Sequence, residues 1–416
     1  MTKSLLVISY YSNMPGACQA EWVDDRIKSL INEGYEISLI SSICSHNQNS
    51  NKVNHYRVQS ILPFPFIYEY NEIIKRKIEF SDKRFKRLNN YLKLSNFLNK
   101  FLTIFKGEGR WDWFISTLIW SIFNIKTIKG HKYIYTTGGP PSAHLLGVIY
   151  KYIFKSKLLT EFQDPLTGKD IGRNKFSKYG LKKAEKFLIK NADIIVYCTK
   201  NATENAKKIY SDFSKKIYNI YPGSSLDQVL PVFNEEKTKI NLTYLGSLYQ
   251  SRNLDNLMQA IRNLKRQNKK IDETLEINIY GNIDDDIKTR ILNFELNIIN
   301  YHGLIPRHEV IKVANGADVL LLIQNTDDRS KVTIPFKLYD YLALRKLTLG
   351  LTYKNEEIDF LLQSHGHLYC DASNVKAIEE SLINLINNFN YLNKNLISNE
   401  LTPGLAVKKM LKLYDL

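Results

Sequence analysis

The sequence predicts an α/β protein made of two Rossmann-like, doubly wound parallel-sheet domains. The first observation is a βαβ pattern at the start of the chain: an apolar run at 4–9, a loop, a helical repeat, and a second strand at 37–41. The second is that this pattern restarts at Ile240, where a strand runs into Gly246 and an amphipathic repeat follows through Leu254, Leu257, Met258, Ile261 and Leu264. The third is the polar stretch between them, which reads as a linker. These limits give an N-terminal domain over 1–225, a linker over 226–239 and a C-terminal domain over 240–400.

Composition bounds the function. The chain has 416 residues, 44% apolar and 24% charged, which fits two or three folded domains and excludes a disordered chain. Its net charge is +16, so its partners are acidic (nucleic acid, anionic lipid or phosphate-bearing substrates) or it is simply a basic soluble protein. Cys18, Cys44, Cys198 and Cys370 have no paired spacing, which fits a reducing compartment and neither a disulfide framework nor a zinc site. The apolar run 5–8 is too short for a signal peptide. The most apolar stretch, 113–125, is interrupted by Ser116, Thr117, Ser121 and Asn124, so no transmembrane helix is expected. A cytoplasmic protein, free or peripheral at the inner face of the cell membrane, follows.

In the first domain, the helix after the first strand carries Trp22, Val23, Ile27, Leu30 and Ile31 and stops at Gly34. The loop before it contains Pro15 and Gly16, where a ligand can approach the backbone closely. It lacks the spacing of a dinucleotide fingerprint. Between about 70 and 110 the chain is basic and amphipathic, with Lys75, Arg76, Lys77, Lys83, Arg84, Lys86 and Arg87 among apolar residues. Such a stretch suits an anionic membrane surface. A pair of helices covering the sheet is the other reading, and no RNA-binding string supports a nucleic-acid partner. The segment Lys132-Tyr-Ile-Tyr-Thr-Thr-Gly-Gly-Pro-Pro-Ser-Ala-His144 reads as strand, tight turn and helix, with Gly139 in the turn and His144 in the first helical turn. The next strand, 158–165, delivers Gln163 and Asp164 at its C-terminal end, where open α/β sheets bind ligands. Asp164 either serves chemistry there or caps the turn before Pro165. Helix 184–190, strand 192–199 and a helix through Ala202, Ala206 and Ile209 follow, and 217–225 reads as the end of this half.

In the second domain, strands at 275–281 and 298–303 also end in glycine. The loop 246–253 offers Gly246, Ser247 and Arg252 before a helix, and Arg suits a diphosphate through its bidentate donors. An isolated Arg at a helix start is also common surface decoration. The segment Lys331-Val-Thr-Ile-Pro-Phe-Lys-Leu-Tyr-Asp-Tyr-Leu-Ala-Leu-Arg-Lys346 follows a strand and a polar loop. Pro335 suits the first turn of a helix, whose bare N–H groups suit a phosphate. Lys337 and Asp340, one turn apart, offer a cation for phosphate and a carboxylate for sugar hydroxyls, or form a solvated ion pair. The triplet Asp284-Asp-Asp286 reads as an exposed loop, so no metal site is expected.

These strings resemble the GT-B fold glycosyltransferases, in the large retaining branch (family 4-like, group 1). That branch carries "P-x-K-[LF]-x-[ED]-Y-[LM]-A", "T-x-x-P-P-S-x-H-x-x-G" and "D-F-R-D-P-W-T-G". Here they stand as 335–343, Thr137-Gly-Gly-Pro-Pro-Ser-Ala-His-Leu-Leu-Gly147 and Glu161-Phe-Gln-Asp-Pro-Leu-Thr-Gly168. The resemblance covers nearly the whole chain. It implies two domains facing a cleft, and a final helix, 401–416, that returns to the N-terminal domain. It implies a nucleotide-sugar donor, a UDP-sugar, as co-substrate with no further cofactor, and a glycan or polyprenyl-linked acceptor in bacterial surface polysaccharide or glycoconjugate synthesis. Donor contacts then fall on Gly16, Gly246, Ser247, Arg252, Gly281, Leu304, Lys337, Leu338 and Asp340, with Asp340 on the ribose. Acceptor-side contacts fall on Pro15, Gly139, His144 and Gln163, and the catalytic carboxylate on Asp164. The chain departs from the pattern at Ser247, Gln163 and Leu166, and at Val332, where the branch has a Glu. A noncatalytic binding subunit and a nucleotide-sugar epimerase are the alternatives.

Overall fold

The computed structural model describes residues 3–14, 17–48, 50–60, 69, 72, 110–167, 175–226, 239–267 and 270–415. Pro15, Gly16, nearly all of the basic stretch and most of the linker lie outside the described residues. The chain divides into two compact units, Met1–Pro222 with Pro403–Leu416, and Gly223–Thr402.

The first unit is built on strands β1 (Lys3–Ile8), β2 (Tyr35–Ser42), β3 (Val53–Val58), β4 (Tyr133–Gly138), β5 (Lys157–Phe162), β6 (Ile194–Tyr197) and β7 (Ile217–Asn219). They form one parallel sheet in the order β3-β2-β1-β4-β5-β6-β7, so the order reverses between β1 and β4. Strand parity decides which helices cover which face. Leu5 and Val7 pack with Val23, Ile27 and Leu30 of α1 (Cys18–Asn32). The same face receives Val407, Met410 and Tyr414 from the last helix, Pro403–Asp415. Leu6 and Ile8 point the other way, toward Trp113 of α2 (Trp111–Phe123), and a short helix α3 (Ile125–Ile128) follows. That face also holds Leu146 and Tyr150 of α4 (Pro141–Phe154) and Leu188 of α5 (Lys175–Asn191). Helix α6 (Lys200–Ile209) is capped by Thr199, whose hydroxyl accepts from the Ala202 N–H.

The second unit repeats the plan with β8 (Ile240–Leu245), β9 (Leu275–Tyr280), β10 (Ile299–Gly303), β11 (Val319–Ile323), β12 (Leu347–Thr352) and β13 (Leu368–Asp371). The order is β10-β9-β8-β11-β12-β13, all parallel, with the reversal between β8 and β11. Helices in chain order are α7 (Asp255–Arg266), α8 (Ile271–Thr274), α9 (Asp285–Leu292), α10 (Arg307–Gly316), α11 (Lys337–Ala343), α12 (Glu356–Ser364) and α13 (Val375–Lys394). The helix at the end of the chain is α14. Leu257, Ile261 and Leu264 of α7 pack with Leu242, Ile277 and Leu321 of the sheet and with Ile378, Leu382 and Leu385 of α13. Two parallel α/β units of this topology constitute the GT-B fold.

Local readings change in three places. The strand expected over 158–165 ends at Phe162, leaving Gln163 and Asp164 in a bend. Helix α11 begins at Lys337, and Pro335 stands ahead of it as the acceptor for the Leu338 N–H. Asp285 and Asp286 open α9 instead of lying in a loop, since acidic side chains are favoured by a helix N-terminus.

A buried ion pair of the first unit sits at the end of β5. Arg26 and Glu161 are 1% and 0% exposed, with Nη2 2.9 Å from Oε1. Thr137 and Tyr135 donate to the other carboxylate oxygen, and Arg26 Nη1 donates to the Pro222 carbonyl at 3.1 Å. Every charge in the group is thus paired and hydrogen-bonded, which burial demands. Arg26→Met or Glu161→Leu alone is expected to cost about 3–5 kcal/mol, because each strands the other charge. The double variant is expected to recover much of that loss, as measured by urea unfolding.

Candidate functional site

The second unit gathers the greater number of candidate residues. Gly246 and Gly281 directly follow β8 and β9, and Gly303 ends β10, each at positive φ. The Gly246 N–H donates to the Tyr280 carbonyl and the Gly281 N–H to the Gly303 carbonyl, both at 2.8 Å, so the three turns continue the sheet in step. A Cβ on Gly281 would lie 2.1 Å from the Gly246 oxygen, which no side chain tolerates. Lys337, at the start of α11, reaches back to this platform. Its Nζ donates to the Leu245 carbonyl at 3.2 Å and sits 3.9 Å from the centre of the Tyr244 ring. Burial pushes the Tyr244 phenol well up, while the nearby Arg252 charge acts in the opposite direction. Arg252 lies 5.2 Å over the Tyr249 ring. Two cations therefore flank Tyr244 at the β8 end, beside the β8/β11 reversal. Tyr244 and Tyr249 escape a search for charged or glycine motifs; their signal is an aromatic at the end of a strand and another in the following turn.

Asp340 is half-buried on α11 and accepts a hydrogen bond from Ser224. Ser247 and Leu304 are exposed just beyond β8 and β10, Leu304 at 72%. Leu338 is a correction to its expected donor role. Its side chain is 0% exposed in the core and its N–H is spent on Pro335, so it supports the helix and offers a ligand nothing. The Tyr339 N–H is likewise taken by the Phe336 carbonyl, so these first-turn donors are satisfied within the turn. Next to Arg252, a polar cavity of about 140 Å³ is lined by Ser251, Asn253, Asn256, Gln324 and Thr326.

The first unit places Gly139, Gln163 and Asp164 at the ends of β4 and β5. Gln19 joins them. Its amide occupies the space over Gly139, where a Cβ would meet Nε2 at 2.9 Å, and its carbonyl accepts from Gln163 Nε2 at 3.2 Å. Asp164 is exposed in the bend after β5. His144 is a second correction. It is 0% exposed, its edge toward the Phe162 ring at 5.0 Å, with Nδ1 on Thr136 Oγ1 at 3.0 Å and Nε2 on the Gly138 carbonyl at 3.2 Å. A carbonyl only accepts, so Nε2 carries the proton and Nδ1 takes the threonine hydroxyl. Both nitrogens are spent on holding the β4 turn, leaving neither for an acceptor. Among the described residues no group of three His, Cys, Asp or Glu is arranged to hold a metal.

No protein-family model and no curated protein matches the sequence. Solved structures do match, over nearly the whole chain. The catalytic domain of starch synthase IV from Arabidopsis thaliana, bound to ADP and acarbose, is 8% identical with a TM-score of 0.65, covering 99% of this chain and 98% of that one. The lipopolysaccharide outer core galactosyltransferase WaaB, in its apo form, is 10% identical with a TM-score of 0.54, covering 99% and 98%. A putative UDP-N-acetylglucosamine 2-epimerase from Listeria monocytogenes is 11% identical with a TM-score of 0.50, covering 98% and 94%. At such identities the likeness establishes the GT-B fold, which glycosyltransferases and an epimerase share.

Burial lowers the His144 pKa from 6.5 to about 4, against the raising influence of its bond to Gly138 and of Glu161. The folded state therefore binds this proton less readily than the unfolded chain. The stability it confers is complete above the unfolded pKa and is lost as pH falls from about 6.5 toward about 4. Between pH 7 and pH 5 its share of the loss is about 2 kcal/mol. His144→Gln is expected to flatten the dependence of urea stability on pH across that window, even where it lowers stability at pH 7.

Proposed function

We propose that this protein transfers a sugar from a nucleoside diphosphate sugar, a UDP-sugar, to a glycan or polyprenyl-linked glycan acceptor. The observation that carries the reading is the pair of cations, Lys337 and Arg252, flanking Tyr244 at the Gly246 turn, with Asp340 one helical turn beyond Lys337. Cations held at a strand end suit a diphosphate, which gathers charge as it leaves. Gly246 leaves the backbone bare for its approach, and Asp340 accepts the ribose hydroxyls. The bond from the anomeric carbon to phosphate oxygen breaks, the bond to the acceptor oxygen forms, and the acceptor proton passes to a base. Asp164 is the carboxylate proposed for the acceptor side. The resemblance to the retaining branch supports retention without a metal, and likeness in fold to a lipopolysaccharide galactosyltransferase supports a place in bacterial surface polysaccharide synthesis.

A cytoplasmic location at the membrane face belongs to the same proposal. No helix among the described residues is long and apolar enough to cross a membrane. Helix α2, however, is apolar on its outer side too: Trp113 is buried in the core beside Ser116, Thr117 and Ser121, while Trp111, Ile115, Ile119, Ile122 and Phe123 are exposed. An outward stripe of this kind, following a basic stretch of sequence, supports docking on an anionic bilayer that carries a lipid-linked acceptor.

The donor reading is tested by thermal unfolding with UDP, GDP, ADP and their sugars. At a hundred times its dissociation constant a ligand adds about 2.7 kcal/mol, a melting shift of a few degrees. UDP is expected to give that shift in the wild type, and Lys337→Ala and Arg252→Ala to lose most of it; no shift with any nucleotide sinks the proposal. Conversion of a UDP-N-acetylhexosamine without acceptor would point to the epimerase instead. For the membrane, wild type is expected to sediment with vesicles containing 30% anionic lipid at low salt, and Ile122→Glu/Phe123→Glu to remain in the supernatant with an unchanged melting temperature. Equal binding by both proteins removes α2 from the interface.

A further inference from the structure

Helices α2, α4 and α5 lie side by side over one face of the first sheet. Ser121 of α2 is hydrogen-bonded to the Tyr150 hydroxyl of α4. The Tyr152 hydroxyl of α4 donates to Asn191 Oδ1 at 2.8 Å, and Lys151 Nζ donates to the Asn191 carbonyl at 2.7 Å, both at the end of α5. Trp113, Leu146 and Leu188 turn inward from the three helices into their shared core. The outward side of this layer carries no acid. With the short α3, the four helices contain two carboxylates, Asp112 and Glu185, and both are buried, at 9% and 2% exposed. Glu185 accepts from the hydroxyls of Tyr197 and Thr167.

The lysines of the layer do face outward. On α5, Lys178, Lys182, Lys186 and Lys190 recur every four residues and form one exposed row along the helix. Tyr179, Lys183 and Phe187 form the row beside it, with the Lys183 ammonium 4.5 Å from the centre of the Tyr179 ring. Tyr152 and Ile153 are exposed at the end of α4. Together the four helices hold more than half of the large apolar side chains that the described residues expose. A polyanion such as RNA would be met by lysines and flat rings. It has no use for Ile115, Ile119, Ile122 and Ile153, which gain only by leaving water. An anionic bilayer uses both kinds of residue. Apolar side chains enter the headgroup boundary, and lysine stems lie along them while the ammonium groups reach the phosphates. We infer that the lysine row of α5 binds the headgroups of anionic lipids, beside the apolar stripe of α2. The inference rests on the proposed docking on an anionic bilayer and adds the residues that sense its charge.

The test is sedimentation at low salt with phosphatidylcholine vesicles, with and without anionic phosphatidylglycerol. It compares the wild type with Lys182→Gln/Lys186→Gln/Lys190→Gln and with Lys408→Gln/Lys409→Gln/Lys412→Gln on α14, which packs on the opposite face of the sheet. Each triple removes the same charge from exposed positions, so the two differ in where it is lost. Each lysine at a charged surface contributes about fivefold, so the α5 triple is expected to weaken binding to anionic vesicles by at least about tenfold. The α14 triple is expected to bind like the wild type, as is an α5 triple of Lys→Arg, which keeps the charge. Equal loss in the α5 and α14 glutamine triples marks an effect of net charge and overturns the inference. So does unchanged binding by the α5 glutamine triple, loss in the arginine triple, or equal binding of the wild type to vesicles with and without phosphatidylglycerol. Capture of RNA in preference to anionic vesicles overturns it in favour of a nucleic-acid partner. If the wild type binds no vesicle, the docking reading fails and takes the inference with it. If Ile122→Glu/Phe123→Glu binds like the wild type while the α5 glutamine triple does not, the role of α2 falls and that of the lysine row stands.

Discussion

The space between two glycines organises the second unit. The Gly246 carbonyl oxygen stands 2.1 Å from the point a Cβ on Gly281 would occupy, so strands β8 and β9 can turn together only while residue 281 has no side chain. Their turns form the shelf on which Lys337 rests. A Cβ on Gly246 would meet its ammonium at 3.1 Å, and the carbonyl it binds belongs to Leu245, one residue earlier. Spreading the strand ends would move that carbonyl, and the cation with it. The position of a charged side chain on one helix is thus set by a steric limit between two strands.

The two units treat charge differently, and burial explains the difference. In the first, Arg26 and Glu161 are sealed under the sheet end and neutralise one another through a network that includes Tyr135 and Thr137. His144 is held neutral nearby by the same lack of water. In the second, Lys337 and Arg252 rest near aromatic faces at a strand end. Aromatic rings attract a cation without cancelling its formal charge.

The alternation of apolar strands with amphipathic helices was legible because burial on both faces requires it. Leu5 to Ile8 face alternate layers and leave an unbroken apolar run. The strand-then-glycine units at Gly246, Gly281 and Gly303 were legible for a related reason, since a positive φ admits few other residues. Side-chain direction was not. His144 and Leu338 are themselves motif positions, yet both turn into the core, because helical spacing assigns a face only after the helix has been packed. Gln19, Tyr244 and Tyr249 went unnoticed because none is rare or charged.

By itself, then, the sequence determined the two-unit α/β architecture and the glycines at its strand ends, because hydrophobic period and backbone sterics are local properties. Only the tertiary structure decided which polar groups share a place. Ser224 meets Asp340, Lys337 meets Tyr244, and Arg26 meets Glu161 across 116, 93 and 135 positions respectively (337 less 244 for the second). Such partners are chosen by the register of parallel strands and the packing of helices on them, and no local pattern encodes that choice.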